Sequence, residues 1–136
     1  MADYKKSGSW DYISGLLNEV HLELWQISDL DISIVVNNVG MDCFDKFTDL
    51  DPEHIQNVIT LNCYSVAYIN RYFLPIFEKH SKLGKKCALI NISSIAGTIP
   101  MSYFQVYSAT KAFVDRLSLS LKYEHPDIDI LTIRPS

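Results

Sequence analysis

Glycine is scarce in this sequence: five residues in 136, at positions 8, 15, 40, 84 and 97. None are spaced to form the glycine-rich loop that brings backbone amides to a phosphate at a helix N-terminus. Cysteine is also sparse. Cys43, Cys63 and Cys87 are an odd number at wide spacing with no C-x-x-C, which argues against a disulfide framework and a zinc site and makes a reducing compartment the default. None of the four histidines stands at a ligand spacing such as H-E-x-x-H, so no metal is assigned. No apolar run approaches the ~18 residues needed to cross a bilayer, and the opening MADYKKSGSW has no hydrophobic segment of signal-peptide type. A net charge of -4 with scattered basic residues excludes the basic stripe of a nucleic-acid binder, and Lys82, Lys85 and Lys86 read as a solvated turn.

What remains is the make-up of a soluble globular protein, 48% apolar and 21% charged, with the length of one ordinary domain. Ile13, Leu16, Leu17, Val20 and Leu24 recur at helical spacing, so residues 10–26 read as an amphipathic helix. The run DISIVV ending in NNVG is short, β-branched and apolar on consecutive positions, which predicts a strand buried on both faces. Asp51-Pro52-Glu53 starts a long helix running to about His80, because Asp accepts from orphan amides, Pro suits the first turn and Glu favours the positive dipole end. A turn at Gly84, a strand CALINI, an irregular segment with Gly97 and Pro100, a helix from about Gln105 to Glu124 and a strand DILTI complete the chain. Helices alternating with short buried strands predict an α/β layered fold around a parallel sheet, with no repeat or linker dividing it. In such sheets ligands bind at the carboxyl ends of the strands, where NNVG and the Ser93-Ser94 pair fall.

The segment SSIAGTIPMSYFQVYSATKAF holds the residues with chemistry. Chance alone yields about 0.5 matches to Y-x-x-x-K at this composition, so context must carry the reading. On a helix, Tyr107 and Lys111 lie one turn apart on one face. An ammonium ~5 Å from a phenol oxygen, at an effective dielectric of ~20, favours the phenolate by about 3 kcal/mol, which makes the phenol a better proton carrier. Ser94 ends a buried strand thirteen residues before Tyr107, close enough for both hydroxyls to meet over the sheet edge and bind one substrate oxygen. Taken singly, the serines suit a turn or cap, the tyrosine and lysine a packed ring or a surface ion pair, and Asn37-Asn38-Val39-Gly40 a simple turn. Asn62 falls in mid-helix, where asparagine has poor propensity, and needs a buried partner or a task such as a water-binding kink.

Together NNVG, Asn62, INISS, Tyr107-Ser-Ala-Thr-Lys111 and the closing RPS resemble the short-chain dehydrogenase/reductase family over essentially the whole chain. NNVGM and YSATKAFVD are most similar to its hydroxysteroid dehydrogenase and very-long-chain 3-ketoacyl-CoA reductase branch. The resemblance implies a Rossmann-like doubly wound parallel sheet. It implies an oxidoreductase using NADP or NAD, with NADPH favoured, that interconverts a carbonyl and a secondary alcohol on an apolar steroid-like or 3-ketoacyl substrate. Tyr107 would protonate the carbonyl oxygen, Ser94 orient it, Lys111 hold the nicotinamide ribose and tune Tyr107, and Asn62 hold a relay water. Asp3 falls where the family places an aspartate near the adenine, and Asn37, Asn38 and Gly40 fall in its cofactor-side NNAG motif.

The sequence departs from the family at T-G-x-x-x-G-I-G, which it lacks, at Val39 in place of alanine, and at Ser136 in place of the glycine of an expected P-G. The expectation is therefore an incomplete domain, without the first βαβ unit and the C-terminal substrate segment, that carries the catalytic half. The alternative is a catalytically silent remnant acting through its helix-pairing surface. The resemblance also implies a homo-oligomer paired through the two long helices. It implies a location in the cytoplasm, or at the endoplasmic reticulum membrane if the complete protein has an N-terminal anchor.

Overall fold

The computed structural model describes Ile27 and residues 30–136. The expected helix over 10–26 and Asp3 lie outside the described residues. The chain divides into two compact units, Met1–Ile32 and Ser33–Ser136, and the elements that follow all belong to the second.

Three strands, β1 (Ile34–Asn37), β2 (Ala88–Ile92) and β3 (Asp129–Ile133), form a parallel sheet in the order β1-β2-β3. Ile34 pairs with Ala88, and Ile90 with Leu131. Between β1 and β2 lie α1 (Pro52–Ile59), a π-helical turn (Thr60–Tyr64) and α2 (Ser65–Lys82); α3 (Gln105–Glu124) joins β2 to β3. The expected start of the long helix is as read: the Asp51 side chain caps it by accepting from the Glu53 amide at 3.1 Å, with Pro52 in the first turn.

The expectation of strands buried on both faces is corrected. Leu89, Asn91 and Ile130 are buried on one face, whereas Ile34, Val36, Leu131 and Ile133 on the other are 61, 53, 48 and 48% exposed. The reason is topological. Two right-handed crossovers stepping the same way across a sheet deliver both helices to the same face. That face holds the core: Leu89 and Ile130 from the sheet, Phe73 and Phe77 from α2 and Val114 from α3, all at 4% exposure or less. Each such side chain contributes roughly 1.5–3 kcal/mol of burial free energy.

A chain of amides runs through this core. Asn37 Nδ2 donates to Asn70 Oδ1 and to Asn91 Oδ1, both at 2.7 Å. Asn91 Nδ2 donates to Ser118 Oγ at 2.9 Å, whose hydroxyl donates to the Val114 carbonyl at 2.7 Å. The network ties β1, β2, α2 and α3 together in a setting where an unpaired amide would be costly. The Asn37 side chain, placed by the sequence in the cofactor-side motif, is buried within the fold, where it holds strands and helices together.

Candidate active site

All three strands end at one edge, and their exits form a cleft of about 490 Å³ lined by Asn38, Gly40, Ser94, Tyr107 and Lys111, among others. Beyond β3, the RPS segment continues alongside β2: the Ser93 amide donates to the Ile133 carbonyl at 2.8 Å and the Ile95 amide to the Pro135 carbonyl at 3.0 Å. Arg134 Nε holds this exit to α3 through both carboxylate oxygens of Asp115, at 3.0 and 3.1 Å.

The two serines divide their work. Ser93 is buried and its hydroxyl donates to the Lys111 carbonyl at 2.9 Å, fixing the strand exit to α3. Ser94, facing the cleft, caps the 3₁₀ turn Ile95–Gly97 by accepting from the Ala96 amide at 3.2 Å. Acceptance leaves its O–H proton for a further partner. The turn lies hard against α3, and Ser108 Oγ donates to the Ala96 carbonyl at 2.6 Å. At Gly97 a Cβ would stand 2.8 Å from the Ala112 nitrogen and the Lys111 carbonyl carbon, so only glycine permits this approach.

Tyr107 and Lys111 emerge from α3 into the cleft one turn apart, with Lys111 Nζ 5.6 Å from the phenol ring centroid. Lys111 is 5% exposed and donates from Nζ to the Ile92 carbonyl at 3.0 Å. Its burial pushes the amine below the ordinary lysine range, an effect partly opposed by the Cys63 thiol. The same burial pushes Cys63 up, partly offset by Lys111. Tyr107 packs edge-on against Phe104, with centroids 6.1 Å apart.

Asn62 occupies the kink that its poor propensity suggested. The Ser65 amide donates to the Thr60 carbonyl, five residues back, opening one wide turn between α1 and α2. The Asn62 side chain turns inward at 1% exposure and engages the main chain of Met41 on both sides: Oδ1 accepts from the Met41 amide at 2.9 Å and Nδ2 donates to its carbonyl at 2.7 Å. Gly40 sits where a Cβ would be 3.3 Å from Asn62 Oδ1 and 3.4 Å from Lys111 Nζ.

The edge therefore brings together Ser94, Tyr107, Lys111, Asn38 and Gly40, with Asn62 behind them. The model of the short chain dehydrogenase family matches residues 11–136. This chain belongs to that family. The very-long-chain 3-oxoacyl-CoA reductase of Mus musculus is 37% identical over 116 residues, covering 80% of this chain and 36% of that protein. A short-chain dehydrogenase from Sphingobium yanoikuyae in complex with NADPH is 31% identical with a TM-score of 0.71, covering 85% of this chain and 44% of that one. The 3-ketoacyl-(acyl-carrier-protein) reductase from Brucella melitensis complexed with NADH has a TM-score of 0.77 at 23% identity, covering 86% and 50%, and shares the fold. The chain spans about a third of the length of the curated relatives it matches. The doubly wound parallel architecture read from the sequence is thus the family's.

Sequence reasoning missed Cys63 beside Lys111, Thr110 beneath Tyr107 and the partners of Asn37. The signal for the last was present: Asn70 is a mid-helix asparagine like Asn62, and Asn91 interrupts the apolar run ALINI.

Proposed function

We propose that this chain carries the proton-transfer site of a nicotinamide-dependent carbonyl reductase whose substrate is a 3-oxoacyl thioester. The observation that carries the reading is the convergence of Ser94, Tyr107 and the buried Lys111 on one cleft at the carboxyl edge of the sheet. The likeness to the Mus musculus reductase supports the acyl substrate over a steroid.

The residues present fit the nicotinamide-ribose end of a dinucleotide. An ammonium has three donors and the Ile92 carbonyl takes one of them from Lys111, leaving others to reach ribose hydroxyls. Gly40 keeps the backbone low beside that amine, and Asn38 lines the approach. When bound, the reduced cofactor supplies a hydride to the carbonyl carbon. Ser94 donates its free proton to the carbonyl oxygen and orients it. Tyr107 transfers the phenol proton to that oxygen as charge develops there, closing the balance at one hydride and one proton per alcohol formed. Lys111, held near the phenol ring, stabilises the phenolate left behind. Asn62 contributes through the kinked backbone around it, since both ends of its amide are already engaged.

A second copy of the chain is proposed to pair through the apolar groove of about 380 Å³ between α1 and α3, lined by Phe47, Ile55, Ile59, Cys63 and Ala109. Among the described residues no helix is long and apolar enough to cross a membrane.

The test is spectrophotometric. Purified protein is offered 3-oxoacyl thioesters of increasing length with NADPH or NADH, and cofactor oxidation is followed. Saturable oxidation that depends on the thioester supports the reading. Oxidation no faster than without protein, for both cofactors and all lengths, overturns it.

A further inference from the structure

The wall that encloses Lys111 depends on one hydroxyl. Asn62 holds the main chain of Met41 much as a neighbouring strand would, and this keeps Gly40 within a methyl group's reach of Lys111 Nζ. The amide has one donor proton left after binding the Met41 carbonyl, and that proton goes to Thr110 Oγ1 at 3.0 Å. Thr110 is 3% exposed, and its own proton is committed to the Tyr107 carbonyl at 2.7 Å. A hydroxyl that donates in one fixed direction presents its lone pairs in another, so Thr110 can only accept from Asn62. One side chain on α3 therefore joins the backbone of Tyr107, the kink at Asn62 and the loop after β1, three segments far apart in sequence.

We propose that Thr110 is a positioning residue: through Asn62 it holds the Gly40–Met41 segment against Lys111 and so sets how much water reaches that amine. The assignment rests on the functional reading above for its catalytic meaning, though not for its test. Removing the hydroxyl leaves a buried Asn62 N–H without an acceptor, a state relieved by swinging the amide away. The swing releases Met41 and opens the cleft over Lys111. Among the described residues, the titratable side chains around that amine include Cys63 on the π-turn, Tyr107 on α3 and Asp42, which lines the same cleft from the loop after β1. None of these groups is replaced in the variants, and the Met41 amide reports in parallel whether the loop that carries Asp42 has moved.

The experiment compares the wild-type chain with Thr110→Ser, Thr110→Val and Thr110→Ala. The Lys111 side chain is followed by NMR across pH, assigned through Lys111→Arg, and exchange of the Met41 amide is measured in parallel. The wild type and Thr110→Ser should both titrate below the ordinary lysine range with a protected Met41 amide. In the variants lacking the hydroxyl, the Lys111 midpoint should rise toward the ordinary range and Met41 protection should fall about tenfold, the loss expected for one hydrogen bond. Two substitutions of different shape are used so that either one that folds decides the matter. A folded Thr110→Val or Thr110→Ala with wild-type Lys111 titration and Met41 protection would overturn the proposal, as would an unprotected Met41 amide in the wild type. Because neither readout needs turnover, an inactive protein with a Thr110-dependent Lys111 refutes the reductase reading alone, and an active one without that dependence refutes this proposal alone.

Discussion

Replacing Gly97 with alanine inserts a methyl group into a close backbone approach between the 3₁₀ turn and α3. Its Cβ would stand 2.8 Å from the Ala112 nitrogen and the Lys111 carbonyl carbon and 3.0 Å from the Lys111 oxygen, up to about 0.6 Å short of the 3.4 Å where ordinary contact begins. These are helix backbone atoms, which cannot swing aside as a side chain does. The 3₁₀ turn would have to retreat instead, yet its neighbours are tied to α3 by Ser93 Oγ on the Lys111 carbonyl at 2.9 Å and Ser108 Oγ on the Ala96 carbonyl at 2.6 Å. Overpacking of this kind costs typically ~1–3 kcal/mol, and losing one of those hydrogen bonds adds ~1 kcal/mol. The expected loss of about 2–4 kcal/mol is a large fraction of the ~5–15 kcal/mol of an ordinary domain. Urea denaturation read by circular dichroism gives the number, with an unchanged slope showing that the loss is in stability. A Gly97→Ala protein within about 0.5 kcal/mol of wild type, the range of an ordinary surface change, would show that the turn yields freely and that the serines are not held by this contact.

Two further outcomes follow from buried polar groups. Lys111→Met removes an amine whose charged form is disfavoured by burial, so it should raise stability at neutral pH by on the order of 1 kcal/mol. The sign fixes the pH course: a lysine with a depressed folded value binds more protons when unfolded, so wild-type stability should rise with pH through the interval below the ordinary lysine value. The advantage of Lys111→Met should shrink over the same interval in denaturation experiments at stepped pH, and a constant difference would contradict the burial argument. Asn37→Ala strips the donor from two buried carbonyl oxygens, on Asn70 and Asn91, and should cost about 2–4 kcal/mol in the same assay. It should leave NADPH affinity unchanged by titration calorimetry, and a selective loss of affinity would restore Asn37 to the cofactor.

Much of the site was legible because its signals are local. Asp51-Pro52-Glu53 marks a helix start by chemistry that needs no tertiary partner, and Gln105–Glu124 is helical as read from its spacing. The kink at Asn62 was foreshadowed by a residue that fits badly in mid-helix, although the partner its side chain finds, the Met41 main chain, lies 21 residues away. What was not legible is set by packing between segments. Consecutive apolar residues in DISIVV and CALINI do not say which elements cover each face, so the exposure of Val36 could not be read from the run. Asn37 is the last residue of β1 and faces the core, whereas Asn38 lies just past the strand and lines the cleft. Thr110 occupies an unspecified position of Y-x-x-x-K, and the group that gives it meaning, the Asn62 amide, is 48 residues distant.

The central claim is that Tyr107 supplies the proton, and Tyr107→Phe tests it most directly. Phenylalanine keeps the ring packed against Phe104 and removes only the phenol oxygen. Turnover of a 3-oxoacyl thioester with NADPH should fall by roughly 10²–10⁴, the usual contribution of a positioned proton donor. Cofactor affinity measured on the same samples should stay within about twofold, since the loss belongs to the chemical step. Turnover close to wild type in the Tyr107→Phe protein would contradict the account and place the proton donor elsewhere in the cleft.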